Sequence, residues 1–250
     1  MLTNKKTKKS TDRPSVSLLM PVLNEKKNIP VLISRLRLAL HGLDYEIIFI
    51  DDDSQDKSWQ CIQHYARSDK RIRLIRRIGR RGLSSAISEG LSMAQGNHIA
   101  VMDADLQHDT SILPRMLNSL SRYEFAIATR APVARKRTSR ERFLLFRSSI
   151  ATWLVRVLLR VRLSDPLSGY FAFRRSAYDR TKHLLKPMGF KFLLDLYVKA
   201  DPVKVHEVRY VFGDRLHGKS KLTSAVMLAF LAQLAHLFLY RISNFFKRSH

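Results

Sequence analysis

Cysteine and acidic residues are scarce in this sequence. Cys61 is the single cysteine, so no disulfide can form within the chain, which indicates a reducing compartment. Only 21 acidic residues stand against 45 basic ones, and the formal charge of +24 indicates an anionic partner. Nucleic acid, an acidic membrane surface and a phosphorylated substrate all fit that charge. The lysine-rich residues 1–13 lack the apolar core of a signal peptide, so we expect a disordered basic tail there.

Apolar residues, by contrast, are plentiful. They make up 45% of the 250 residues, which suits a packed α/β domain with or without a short extension. Short apolar runs alternate with amphipathic stretches through the first hundred residues, which predicts βαβ units and a largely parallel, doubly wound sheet. The predicted strands are Val16–Met20, ended by Pro21, Tyr45–Ile50, Ile72–Ile75 and His98–Met102, and the predicted helices are Asn28–Leu40, Ser58–Ala66 and Leu83–Ala94.

Three acid-bearing segments follow these strands: Pro21–Glu25, Asp51–Ser54 and Asp103–Gln107. Ligands of an open parallel sheet bind beyond the carboxyl ends of its strands, so the three segments should converge at one edge. The carboxylates of Asp103 and Asp105, with the amide oxygen of Gln107, are hard oxygen ligands that suit Mg²⁺ or Mn²⁺. Such a metal would help a nucleotide diphosphate to leave. An isolated Asp-x-Asp also occurs in solvated turns.

Six motifs of this chain resemble those of family 2 glycosyltransferases and occur in the same order. The similarity extends from about residue 15 to residue 222 and is greatest to the dolichol-phosphate mannose synthase branch, which includes bacterial polyprenyl-phosphate glycosyltransferases. The motifs are LLMPVLNE at Leu18–Glu25, EIIFIDDDSQD at Glu46–Asp56, RRGLSSAISEG at Arg80–Gly90, VMDADLQH at Val101–His108, SDPLSGYFAF at Ser164–Phe173 and GKSKL at Gly218–Leu222.

The resemblance implies a GT-A fold and an inverting hexose transfer, with mannose the favoured sugar. The implied donor is a nucleotide sugar, GDP-mannose in preference to UDP-glucose. The implied acceptor is dolichyl or polyprenyl phosphate at the cytoplasmic face of a membrane, with Mg²⁺ or Mn²⁺ as cofactor. The alternatives are transfer to a saccharide or protein acceptor, and a basic nucleic-acid-binding protein. No nucleic-acid-binding motif supports the last of these.

The resemblance also implies site residues. The implied nucleotide-sugar contacts are Pro21, Leu23, Glu25, Asp52, Asp103, Ala104, Asp105, Arg130, Arg215 and Lys221. The implied metal ligands are Asp103, Asp105 and Gln107. Arg142 and Arg147 fall where relatives hold the acceptor phosphate, and Asp165 is the candidate catalytic base or orienting group.

Each assignment has a plainer alternative. Asn24 and Glu25 would also serve as caps of the next helix, and Asp165 as a turn cap before Pro166. A phosphate monoester has its second pKa near ~6 and arrives largely as a dianion, so the need for a protein base is small. An isolated arginine of such a basic chain is usually a solvated surface residue.

Apolar and basic residues alternate in the second half of the chain. Residues 141–162 predict either a helix lying in the headgroup plane or a core helix with a basic solvent face. Leu222–Tyr240 carries no charge and approaches the ~20 residues that span a bilayer. Basic residues follow it, so we expect an interface-embedded or re-entrant segment rather than a span. The predicted divisions are a tail at 1–13, a GT-A domain at 14–221 and a membrane-associated helical segment at 222–250.

Overall fold

A twisted sheet of seven strands forms the centre of the protein. The computed structural model describes residues 13–131, 139–186, 189–213 and 224–248, with side chains left out at 139–148, 224–226 and 247–248. The tail predicted at 1–13 therefore lies outside the described residues except for Arg13. The strands are β1 (Val16–Val22), β2 (Tyr45–Asp51), β3 (Ile72–Arg76), β4 (His98–Val101), β5 (Phe125–Arg130), β6 (Phe171–Arg174) and β7 (Val205–Tyr210).

The strands lie in the order β3-β2-β1-β4-β6-β5-β7. The pairs β1–β2, β1–β4, β2–β3 and β5–β7 are parallel, whereas β6 is antiparallel to both of its neighbours, β4 and β5. Six strands therefore point one way and β6 alone is reversed. The mostly parallel, doubly wound sheet predicted from the sequence is confirmed.

Helices cover both faces of the sheet. One apolar core packs the first face against α1, α2 and α4, and the other packs the second face against α3, α5, α6, α7 and α8. Their bounds are α1 (Ile29–Ala39), α2 (Ser58–Ser68), α3 (Leu83–Met93), α4 (Leu113–Ser119), α5 (Ser139–Leu159), α6 (Arg175–Thr181), α7 (Phe192–Ala200) and α8 (Ser224–Arg248).

Pro21 does not end the first strand, which corrects the sequence prediction. Strand β1 continues through Pro21 to Val22, pairing Pro21 with Ile50 of β2. On its other side, β1 pairs with β4 only as far as Leu19. The missing N–H of Pro21 thus costs no ladder hydrogen bond to β4, the usual condition for proline in a strand.

Helix α8 is amphipathic. Phe230, Gln233, Leu234 and Leu237 are buried against the second core, and a row of apolar side chains on the opposite side is exposed. That row comprises Leu228, Leu231, Phe238, Leu239, Ile242, Phe245 and Phe246. Within the described ranges, no helix has both the length and the apolar character required of a bilayer-crossing segment.

Candidate active site

The carboxyl edge of the sheet gathers the loops that follow β1, β2, β4, β5 and β7. Because β6 is reversed, the turn that precedes it, residues 164–170, lies at the same edge. Val101 at the end of β4 and Ile127 of β5 both pair with Phe171 at the start of β6. The edge therefore brings together segments from both halves of the chain.

The Asp-Ala-Asp segment turns sharply beyond β4. The Asp105 carboxylate is buried, and its Oδ1 accepts a hydrogen bond of 3.2 Å from the Gln107 backbone N–H. Between them Leu106 takes a left-handed conformation with φ of 62°, which is uncommon for a residue with a branched side chain. Backbone strain of this kind is often found at functional sites. Here the left-handed conformation of Leu106 brings the Gln107 N–H within hydrogen-bond distance of the Asp105 carboxylate.

Two hydrogen bonds join Gln107 to Gly213, the last described residue of the segment that follows β7. Its side-chain Nε2 donates to the Gly213 carbonyl at 3.0 Å, while the Gly213 N–H donates to the Gln107 carbonyl at 2.9 Å. With Nε2 engaged in this way, Oε1 is the oxygen that Gln107 can turn toward a cation. The arrangement is consistent with the predicted ligand role of Gln107.

Asp103 stands between a histidine and a glycine. Its Oδ2 lies 3.5 Å from Nε2 of the buried His108, whose Nδ1 is 2.7 Å from the Tyr210 hydroxyl. On the other side, a Cβ placed on Gly169 would fall 2.5 Å from the same Oδ2. The Asp103 side chain is 38% exposed, so its carboxylate is held in place yet still reaches the cleft.

Arg130 and Asp165 form a two-point ion pair at the end of β5. Arg130 Nε donates to Asp165 Oδ2 at 2.7 Å, and Nη2 donates to Oδ1 at 3.2 Å. Asp165 is buried, whereas the Arg130 side chain is 43% exposed and stacks near the Phe212 ring. Asp165 is thus the partner of an arginine that faces the cleft, in addition to accepting the Ser168 N–H on its backbone carbonyl.

Asp52 has a cationic neighbour that the sequence analysis missed. Its Oδ1 lies 3.1 Å from Nη1 of the buried Arg77, and its Oδ2 accepts the Gly82 N–H at 2.8 Å. Burial raises the pKa of Asp52, and the Gly82 and Arg77 contacts counteract that rise. Arg77 also donates to the Gly82 carbonyl and to the Ser85 hydroxyl, so it ties the end of β2 to the start of α3.

The Pro21–Glu25 segment adjoins Asp52. The Asp52 N–H donates to the Val22 carbonyl at 3.1 Å, which places the ends of β1 and β2 side by side. Glu25 is buried and accepts a hydrogen bond of 2.6 Å from the Asn28 side chain at the start of α1. This bond joins two side chains, and α1 has no side-chain capping hydrogen bond at Asn28, so the capping role of the plainer alternative is not confirmed. Pro21 and Leu23 occupy the same segment, as Ala104 does between the two aspartates.

Comparison with known proteins assigns the chain to a family. Residues 17–181 match the Glycosyl transferase family 2 model. The chain belongs to this family. It is a glycosyltransferase, and the family resemblance found in its motifs is confirmed.

Three relatives of this glycosyltransferase are named dolichol-phosphate mannosyltransferase. The protein from Pyrococcus furiosus is 36% identical over 89% of this chain, and this chain spans only 63% of that relative's length. The protein from Mycosarcoma maydis is 33% identical, with 94% of this chain and 83% of the relative covered. The protein from Saccharomyces cerevisiae is 34% identical, with 90% and 87% covered.

Solved structures confirm the predicted GT-A fold. Glucosyl-3-phosphoglycerate synthase from Mycobacterium tuberculosis, in complex with Mn²⁺, uridine diphosphate and glucosyl-3-phosphoglycerate, superposes with a TM-score of 0.62. The identity is 20%, and 91% of this chain and 80% of that chain are covered. The same synthase in complex with Mn²⁺, UDP-glucose and phosphoglyceric acid gives 0.62 at 20% identity, with 91% and 79% covered.

The donor atoms of this glycosyltransferase fit a divalent metal bound together with a diphosphate. Among the described residues, no three His, Cys, Asp or Glu side chains are grouped to hold a metal by themselves. Two carboxylates and one amide oxygen leave coordination positions for phosphate oxygens and water, as Mg²⁺ prefers. Asp103, Asp105 and Gln107 therefore suit a metal site that is completed by the substrate.

Lys191 is a second residue that the sequence analysis missed. It precedes α7, and its Nζ donates to the Leu167 carbonyl at 2.8 Å, inside the turn that begins with Asp165. Burial lowers the pKa of Lys191 to about 8, Asp103 and Asp165 raise it, and Arg130 lowers it further. No sequence motif singles out this lysine, because it reaches the edge from a distant part of the chain.

Four predicted phosphate contacts have no side-chain position in the structure. Arg142 and Arg147 lie on α5, within the stretch whose side chains the structure leaves out. Arg215 and Lys221 lie outside the described residues. The roles of all four stay predictions.

Gly169→Ala should disturb the site through Asp103. The new methyl group would meet Oδ2 at 2.5 Å, so the carboxylate must move, and we expect Mn²⁺ affinity and sugar transfer to fall at least about tenfold. Titration calorimetry with Mn²⁺ and GDP would measure the first effect. Gly42→Ala is the control, because Gly42 takes a positive φ but a methyl group there would have no atom within 4 Å. Unchanged Mn²⁺ binding in Gly169→Ala would show that Asp103 is not a ligand.

Proposed function

We propose that this glycosyltransferase moves mannose from GDP-mannose to dolichyl or polyprenyl phosphate at the cytoplasmic face of a membrane, with Mg²⁺ or Mn²⁺ as cofactor. The observation that carries the proposal is the position of the Arg130–Asp165 pair at the same sheet edge as Asp103 and Asp105. A site for the acceptor phosphate would thus adjoin the site for the donor diphosphate and its metal. The three relatives named dolichol-phosphate mannosyltransferase support this choice of sugar and acceptor.

The donor side of the proposed site consists of the loops after β1, β2 and β4. Glu25 and Asp52 are buried carboxylates that can accept hydrogen bonds from a guanine edge or a ribose, with Pro21 and Leu23 beside them. Arg77 and the Gly82 N–H fix the orientation of Asp52 before a ligand arrives. Such preorganisation reduces the entropy lost on binding.

The metal would be held by Asp103, Asp105 and Gln107, and the backbone of Ala104, whose side chain is buried in the first core, would face the diphosphate. When bound, it supplies Lewis-acid stabilisation to the leaving nucleotide diphosphate. The protein's own contribution is to keep the two carboxylates at fixed positions. His108 and Gly169 enclose Asp103, and the Gln107 N–H binds Asp105.

We assign Arg130, which the family resemblance implied as a nucleotide-sugar contact, to the acceptor side together with the turn at 164–170. A phosphate monoester is already a dianion near neutral pH and needs no strong base to attack the sugar. Arg130 presents a planar group that can grip phosphate oxygens at two points, and Asp165 sets the orientation of that group. We assign Asp165 as an orienting group rather than a proton acceptor.

The membrane part of the proposal rests on the exposed apolar surface of two helices. On α5, Ile150, Trp153 and Val157 are exposed, and the exposed row on α8 adds seven apolar side chains. Arg156 lies on α5, and Arg160 and Arg241 lie beside Phe238, Ile242 and Phe245, with Arg241 also bound to Asp201 at 3.3 Å. Apolar side chains flanked by cations suit a helix lying among anionic lipid headgroups.

A transfer assay over a panel of substrates tests the proposed function. Purified protein is incubated with GDP-mannose, UDP-glucose or UDP-galactose, with polyprenyl phosphate in anionic or zwitterionic vesicles, and with Mg²⁺, Mn²⁺ or EDTA. We expect mannosyl-phosphoryl-prenol from GDP-mannose only, loss of product with EDTA, and stronger protein binding to the anionic vesicles. Product formed only with a soluble saccharide acceptor would refute the lipid-phosphate assignment.

A further inference from the structure

Lys191 contacts the turn that carries Asp165. The Lys191 ammonium donates to the Leu167 carbonyl at 2.8 Å, and the Gln233 side chain of α8 donates to the Lys191 carbonyl at 3.0 Å. Lys191 also precedes Phe192, the first residue of α7. The lysine therefore links the turn at 164–170 to α7 and α8, which pack on the second face of the sheet.

The same turn is attached to the sheet at two further points. The Asp165 carboxylate binds Arg130, and the Ser168 hydroxyl donates to the Ala128 carbonyl at 2.8 Å. Its other side touches Asp103, because Gly169 leaves no room there for a methyl group. Lys191 therefore supports a turn whose residues contact both Arg130 of the proposed acceptor site and Asp103 of the proposed metal site.

The charge of Lys191 acts on the carboxylates of both sites. Asp103 and Asp165 each stabilise its protonated form, whereas Arg130 opposes it. Although burial lowers the pKa of the amine to about 8, the protonated form predominates at neutral pH. An ammonium has three N–H groups; Leu167 accepts a hydrogen bond from one of them, and the centre of the Phe190 ring lies 4.8 Å from Nζ.

The proposed reaction needs positive charge at this position. A nucleotide diphosphate and a phosphate dianion must approach each other, and Coulomb repulsion between them is strong in a site with little water. Arg130 is neutralised by Asp165 in the free protein, so it supplies little net charge by itself. A second cation beside the pair would offset the repulsion.

We propose that Lys191 is a positioning residue of the transfer site, which holds the turn at 164–170 through Leu167 and supplies positive charge to the phosphates brought together beside Asp103 and Asp165. This inference rests on the proposed function. The role proposed for Lys191 involves no covalent bond and no proton transfer. Lys191 keeps its proton and acts on the reaction through its charge and its hydrogen bond.

Two substitutions separate the charge of Lys191 from its hydrogen bond. Lys191→Gln retains an N–H donor without the charge, and Lys191→Met removes both. If the charge matters, kcat for polyprenyl phosphate should fall at least about tenfold in Lys191→Gln, and further in Lys191→Met, which also loses the hydrogen bond to Leu167. If the lysine only clamps Leu167, Lys191→Gln should keep nearly the wild-type kcat, and that result would overturn the inference.

Mn²⁺ binding gives a readout that a general structural defect would not reproduce. Removing a positive charge near Asp103 lessens its repulsion of a cation, so both variants should bind Mn²⁺ without GDP at least as tightly as the wild type in calorimetry. Weaker Mn²⁺ binding together with lower Tm would mean that the site has collapsed, and this too would refute the charge role.

Lys204→Gln and Lys204→Met are the matched controls. Lys204 is exposed and precedes β7 at the opposite edge of the sheet, so these variants change the net charge equally without approaching the cleft. Both should keep wild-type kcat and Mn²⁺ affinity. If the wild-type chain itself transfers no sugar to polyprenyl phosphate, the proposed function fails and this inference falls with it. Normal wild-type transfer with an unaffected Lys191→Gln refutes the inference alone.

Discussion

Asp105→Asn is expected to lower sugar transfer at least about a thousandfold while the protein stays folded. Metal assistance to a leaving group is worth several kcal/mol, and about 4 kcal/mol corresponds to that factor. The amide of asparagine keeps the size of the side chain and can still accept the Gln107 N–H, which Asp105 Oδ1 accepts at 3.2 Å in the wild type. The loss would therefore be one of charge on the metal site rather than of local shape.

Steady-state transfer, Mn²⁺ calorimetry and thermal unfolding together check this expectation. Mn²⁺ affinity should fall with activity, and Tm should change by only a few degrees. Asp179→Asn is the control, since Asp179 is exposed on α6 and its carboxylate forms a 3.7 Å surface ion pair with Lys182. Transfer by Asp105→Asn at a rate near the wild type would remove the metal assignment from this loop.

The second large effect is expected at the Arg130–Asp165 pair. Arg130→Ala should reduce kcat/KM for polyprenyl phosphate about a hundredfold or more, because a buried carboxylate is left without its partner and the phosphate loses a two-point contact. Asp165→Asn should cost somewhat less, since the guanidinium remains but its orientation is no longer fixed.

A double-mutant cycle distinguishes an orienting Asp165 from a catalytic base. If Asp165 acts through Arg130, the double variant should transfer sugar no more slowly than Arg130→Ala alone. If Asp165 accepts a proton independently, the two losses should multiply, and the rate of Asp165→Asn should rise steeply with pH as the acceptor ionises unaided. Surface arginines such as Arg180 on α6, replaced by alanine, should leave the rate unchanged.

Much of the fold followed from local patterns in the chain. The alternation of apolar runs and amphipathic stretches predicted β1 to β4 and α1 to α3 closely, because each pattern reflects burial on one or both faces of its own element. Pro21 was misjudged for a non-local reason. Whether proline ends a strand depends on which neighbour requires its N–H, and β4 is too short to reach it.

The site was predictable only in part. Asp103 and Asp105 follow a strand directly, so local spacing located them. Asp165 had two alternatives in the sequence, and the choice depended on Arg130, which lies 35 positions earlier in the chain. His108, Arg77 and Lys191 acquire their roles from contacts made by tertiary packing. His108, for example, meets Tyr210, 102 positions away.

Strand β6 is the one strand of the described sheet that runs in the opposite direction, and this direction places the turn before it at the carboxyl edge. A parallel strand in its place would begin at the far edge and carry the Asp165–Gly169 turn away from Asp103 by the full length of the sheet. With the reversal, the loops of the first four strands and the segments of the last three meet side by side at one edge of the sheet. Substitutions among the last three strands that leave Asp103 undisturbed, unlike Gly169→Ala, are therefore expected to change the choice of sugar recipient more than the grip on the activated sugar.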